Sequence, residues 1–312
     1  MQSLTGLGSD KKTFQPAAMM AMPLSMIQEH SAMAPSSGDF FSSTNPNHDA
    51  DSTHGELYEL HAEQPPRILE ARGQTSPDGH DLPTDAVVDK KVVIGIEGID
   101  GKPTAYARML SPTVSELNQP VLMVHEGIEI NHGVSMRRII KDNLALKQGN
   151  ATPELVFARD PAVQTTYNLI KQGLDQGDDI LLIPHSGGGA ESALALNLLS
   201  RTYHDEIHDH VRVMSLAGAS APSNYEAAGV DSKNVLYLGD ARDPIAVAGS
   251  AETDPTHPKV DERRLIDGLS QMAADPREFV LHEPDTILHE NAQVAADFLH
   301  GGAGGVHLAT GA

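Results

Sequence analysis

Cysteine is absent from the 312-residue chain, and with it go disulfides, thiolate metal sites and a cysteine nucleophile. The redox compartment is left open by the same absence. Basic residues are scarce: 22 lysines and arginines stand against 43 aspartates and glutamates, for a net charge of −21. A surface of that sign repels phosphate backbones and anionic membranes, which argues against nucleic-acid binding and favours solubility. No apolar run approaches the roughly 20 residues that a bilayer-crossing helix needs. No internal repeat is visible. What the chain does have is 39% apolar residues, enough for one large core or two modest ones.

Residues 1–85 lack helix or strand periodicity and end in turn signals, so they are read as a disordered leader or tail. Lys11-Lys12, then Ala17 to Ile27, then Ala32-Met33-Ala34 follow the basic, apolar and small-residue order of a secretory signal. Asp10 beside the basic pair and Pro23 inside the apolar run speak against it. The compartment therefore stays open: cytoplasmic by default, with export through this segment as the alternative. Glu56 to Leu60 reads as a helical turn at most.

Residues 86–312 are read as one folded domain. Lys91–Ile99 and Thr104–Leu110 are strand-like runs joined by the hairpin signal Asp100-Gly101-Lys102-Pro103. Strands and helices then alternate. The expected strands are Pro120–His125, Glu154–Ala158, Val211–Leu216, Asn234–Leu238 and Glu278–Leu281; the expected helices are Val134–Lys147, Ala162–Leu174 and Asn291–Leu299. That order predicts an α/β fold: a mostly parallel sheet with helices on both faces.

The centre of the pattern is Asp179 to Leu199. An apolar strand, Ile180–Ile183, runs into Pro184-His185-Ser186-Gly187-Gly188, and an Ala- and Leu-rich helix follows at once. A reversal this sharp strains the residue at its corner and demands nearly side-chain-free neighbours. Ser186 occupies the corner. A plainer account makes Ser186 a helix cap, with the glycines there for close packing. The pentapeptide resembles the nucleophile elbow, G-x-S-x-G, of the α/β-hydrolase superfamily, with Pro184 in place of the first glycine. The likeness covers roughly the last 225 residues.

That resemblance implies a serine nucleophile followed along the chain by an acid and then a histidine. After the strand Val235–Leu238 come Asp240 and Asp243-Pro244-Ile245; Asp243 is preferred as the acid, with Asp240 its rival. His282 ends the last expected strand and is preferred as the base, with His289, next to the final helix, as the alternative. The oxyanion donors would be the N–H of Gly187 and one from the turn His125-Glu126-Gly127-Ile128, where Gly127 is preferred over Glu126 and Ile128. The implied activity is a lipase- or esterase-like serine hydrolase acting on a small-molecule or lipid ester, with no metal or organic cofactor. A non-catalytic binding or interaction protein on the same sheet is the alternative.

Other clusters are weaker. His204, His208 and His210 offer three imidazoles for a metal-dependent protein, but a solvated polar loop is the preferred account of them. Gly95, Gly98 and Gly101 have the wrong spacing for a dinucleotide fingerprint and read as hairpin punctuation. Nor does the Ser186 loop continue into Gly-Lys-Ser/Thr, as a phosphate-binding loop would. The connection Ala217–Lys233 is too short for a cap domain, whereas Ala246–Arg277, with a helical stretch at Arg264–Ala273, suits a small lid.

Overall fold

A computed structural model describes residues 55–61, 67–70, 86–98, 106, 110, 113–125, 152–243, 246–247 and 284–310. They form an α/β fold around one mixed sheet with strand order β2-β1-β4-β3-β5-β6-β7-β8. The strands are β1 Leu57–Leu60, β2 Arg67–Glu70, β3 Lys91–Ile96, β4 Val121–Val124, β5 Asp179–Pro184, β6 Val211–Leu216, β7 Val235–Asp240 and β8 Gly305–Ala309. From β4 through β8 every neighbouring pair is parallel, and β1 runs antiparallel to both β4 and β2.

The central strands are unbroken apolar runs because both of their faces are covered. One face packs on α1 Pro153–Phe157, α2 Pro161–Gln176, α3 Gly187–His210 and α4 Pro222–Ala227. Ile94, Leu122, Leu182 and Val213 meet Leu169, Ile170, Leu196 and Leu199 there. The opposite face packs on α5 Pro284–Glu290 and α6 Ala292–Leu299, together with the helical residues Tyr106, Leu110 and 113–117. There Val93, Met123, Ile183 and Leu236 meet Tyr106, Leu110, Ile287 and Phe298.

Several expectations change. The ordered body reaches back before residue 86: Leu57–Leu60 is a buried strand rather than a helical turn, paired to all of β4. Tyr106 and Leu110, the described residues of the expected second hairpin strand, are helical. Of residues Glu154–Ala158, expected as a strand, Glu154–Phe157 belong instead to α1 and Ala158 caps its end. Pro153 sits in its first turn, where the missing N–H costs nothing, and Thr152 Oγ1 accepts from the Leu155 N–H at 3.4 Å. Helix α2 is held at its start by Asp160, which accepts from Ala162 and Val163, and it ends at Gly177. The edge strand β8, half exposed, carries no alternation that marks it in advance. The expected helix 134–147, the strand 278–281 and the stretch 264–273 lie outside the described residues.

The histidine cluster is helical, not a loop. Helix α3 runs 24 residues to His210, with non-helical backbone at Tyr203. Its three imidazoles separate: His204 lies 3.5 Å from Asp205, His208 lies 3.1 Å from Asp209, and His210 lies 2.9 Å from Asp179 at the start of β5. That is the amino end of the parallel strands. Among the described residues no group of three metal-binding side chains converges.

Candidate active site

Strand β3 lies between β4 and β5, so the chain leaves β3 toward one side and leaves β5, for β6, toward the other. Connections departing in opposite directions open a crevice at the carboxyl ends of the two central strands, where open α/β sheets bind ligands. Ser186 stands at that point, directly after β5.

Its backbone has φ 49° and ψ −121°, a region sparsely populated by L-residues and costing on the order of 1–3 kcal/mol. Four hydrogen bonds hold the corner. The Ser186 N–H donates to Leu216 at 3.2 Å, its carbonyl accepts from Ala219 at 2.7 Å and Gly189 at 3.0 Å, and the His185 N–H donates to Ile96 at 2.9 Å. The Ser186 side chain makes no capping bond, and a capping residue would have extended backbone. The capping account of this serine therefore fails.

Pro184 is absorbed by the sheet. Its N–H would have pointed to β6. The β5–β6 ladder pairs Ile180–Leu182 with Val211–Val213, then resumes in the same register at His185 and Leu216. The proline removes a ladder bond and leaves the corner intact.

Two glycines fix how closely the neighbours approach. A Cβ on Gly188 would strike the Ile96 carbonyl oxygen and lie 2.8 Å from that of Glu97. A Cβ on Gly98 would lie 2.5 Å from Ser186 Cβ. Gly98 is thus part of the bed of the serine rather than hairpin punctuation. Gly188 and Gly189 donate to His185 and Ser186, while Gly187, first in α3, has its N–H where no intrahelical acceptor exists.

The two candidate acids differ. Asp240, the buried last residue of β7, accepts from the Arg242 backbone at 2.7 Å, from its Nε at 2.9 Å and from its Nη2 at 2.5 Å. Burial would raise its pKa, but the Arg242 hydrogen bonds and charge outweigh burial and hold it below the usual aspartate value. Glu290 moves the other way, raised by burial and then by the Asp240 charge. Asp240 is thus committed to Arg242. Asp243 is also buried, 1% exposed. Its N–H donates to the Asp240 carbonyl and its own carbonyl accepts from Val247, both at 3.0 Å. Its charge, after burial, raises the pKa of Tyr237, whose hydroxyl donates to Gly218 at 2.9 Å, just past the end of β6.

His289 is exposed in the last turn of α5. His282, Glu126, Gly127 and Ile128 lie outside the described residues. No described side chain hydrogen-bonds the Ser186 hydroxyl.

The residues that sequence reasoning missed are Glu97 and His125, whose side chains pair by Glu97 Oε2 and His125 Nδ1, each 1% exposed. Both stand directly after apolar strands, at level positions beyond the Ile96–Val124 pair. A charged residue closing an apolar run was the available signal. Compared with protein families, curated proteins and solved structures, the chain matches none.

Proposed function

We propose that the protein is a serine hydrolase of the α/β-hydrolase type, cleaving carboxylic esters or lipid acyl groups through an acyl-enzyme. The observation that carries this reading is the backbone of Ser186, φ 49° and ψ −121°, at a strand-to-helix corner on the switch point of the sheet. Glycine would occupy that conformation without strain. A strained serine there presents its hydroxyl above the sheet edge, as a nucleophile requires.

In this reading Ser186 Oγ attacks the ester carbonyl carbon while His282 takes its proton and then delivers it to the leaving alkoxide. Asp243 orients the imidazole and stabilises it when charged. The commitment of Asp240 to Arg242 favours Asp243 for that part, and the exposure of His289 favours His282. The N–H groups of Gly187 and Gly127 receive the oxyanion. The first of these is strengthened by its place at the positive end of α3. Water then hydrolyses the acyl-enzyme by the same steps in reverse.

A fluorophosphonate probe tests the reading, because it phosphonylates only an activated serine. Wild type should label, Ser186→Ala should not, and p-nitrophenyl esters of graded acyl length should define the substrate range. Folded wild type that fails to label would point to a binding protein on the same sheet.

A further inference from the structure

Beside the serine corner lies a buried pair that the proposed chemistry does not use. Glu97 leaves β3, His125 leaves β4, and their side chains bond each other while Glu97 Oε1 has no hydrogen-bond partner among the described residues. Tyr58 of β1 meets the imidazole edge-on, ring centroids 5.9 Å apart, and donates its hydroxyl to Glu56 at 2.7 Å. Tyr106 stacks on His185 at 6.2 Å and donates to the Ile183 carbonyl at 2.8 Å. A carboxylate this deep with one open oxygen is costly, and an apolar pair of similar volume would commonly be as stable or more so. Stability alone is a poor account of the pair.

Position supplies a better one. The Glu97 N–H donates to Val124 at 3.0 Å, so backbone and side chain both pin Glu97 to β4. On its other side its carbonyl oxygen lies against Gly188 of the elbow, and the next residue, Gly98, abuts Ser186 Cβ. The exit of β3 is therefore wedged between the β4 end and the serine.

We infer that Glu97 is a positioning residue which, through its pairing with His125, holds Gly98 against Ser186 and so sets the direction of the hydroxyl. The inference rests on the reading of Ser186 as nucleophile. It is a role for two side chains that never touch the reacting atoms.

The experiment measures fluorophosphonate inactivation of the full chain, separating the maximal rate from probe affinity, alongside circular dichroism and melting temperature. Glu97→Leu and His125→Phe should each lower the maximal rate about tenfold or more, since small misplacements of reacting groups cost this much. Probe affinity should stay within about twofold. The double variant should fall no further than either single one, as expected for a pair acting as a unit. Glu97→Gln, which keeps an acceptor for the imidazole, should stay within about threefold of wild type. A wild-type maximal rate in folded Glu97→Leu would overturn the inference. So would failure of the double variant to fold, because the pair would then serve stability. If wild type itself does not label, the nucleophile reading fails and takes this one with it; labelled wild type with unaffected variants sinks the positioning role alone.

Discussion

Two neighbouring strands end in the same way and for different reasons. Ser186 after β5 and Ala217 after β6 both carry positive φ, 49° and 44°, without being glycine. Ala217 has a packing reason to be there. It is fully buried, its methyl lies in the cluster with Met214, Leu216 and Leu238, and its N–H donates to Leu238 at 2.7 Å. A glycine would relieve the strain and give up the buried methyl. Ser186 has no such reason: its side chain is only half-buried and caps nothing. Packing accounts for the strain at Ala217, whereas the strain at Ser186 is what the proposed nucleophile role would account for.

The sharpest way to break the comparison is to remove the room that the Ser186 corner needs. Gly188→Ala puts a methyl into the Ile96 and Glu97 carbonyl oxygens, which are backbone atoms of a central strand and cannot swing aside. It should cost about 2–3 kcal/mol, in the range of an overpacked core, and abolish probe labelling; urea denaturation and gel fluorescence read the two effects. A fully labelled, stable Gly188→Ala would mean that the corner is looser than described.

The next test sets the two corners side by side. Ser186→Gly should raise stability by about 1 kcal/mol, because strain is relieved and little packing is lost, while labelling disappears. Ala217→Gly should change stability by less than about 0.5 kcal/mol, as relief of strain is offset by loss of roughly 0.8 kcal/mol from one buried methyl. Its labelling should persist. Equal stabilisation by both glycines would erase the distinction between the corners.

A third corner, after β7, is held by charge instead of strain, and it should give the smallest effect. Asp240 has its folded pKa depressed by Arg242. Its contribution is full above the ordinary aspartate value of about 3.9 and is lost as pH falls through the lower folded value. Asp240→Asn should therefore cost about 1 kcal/mol or less at pH 7, given the half-exposed arginine. Its stability should decline less steeply than that of wild type in acid. The Glu290 carboxyl, raised in part by the Asp240 charge, should titrate lower in this variant, which carboxyl NMR can follow.

The parts of the fold legible in advance were those with local signals. Strands β4 and β5 are built on continuous apolar runs, β6 and β7 are mainly apolar, α2 has its cap and stop residues, and the serine–glycine corner is a pattern within five residues. The failures share a cause. Residues 57–60 are a strand because β4 is beside them, not because of their own preference. The Leu-Val-Phe run at 155–157 has strand-like composition, yet Thr152 and Pro153 start a helix there. The histidines at 204–210 extend α3 because Ile207 is buried against the apolar cluster.

Composition and pattern by themselves determined that this acidic, cysteine-free chain would build a mostly parallel sheet with a serine at a sharp turn, because burial on both faces writes itself as apolar runs and tight reversals as glycine. Only the tertiary structure decided that Ser186 carries unrepaid strain, that Asp240 belongs to Arg242, and that Glu97 meets His125 beneath the corner. The meeting of Glu97 and His125 depends on which strands lie side by side and in what register, and residues that far apart along the chain carry no local record of which partner they meet. Asp240 and Arg242 are two residues apart, and what the fold decides there is the burial of the carboxylate.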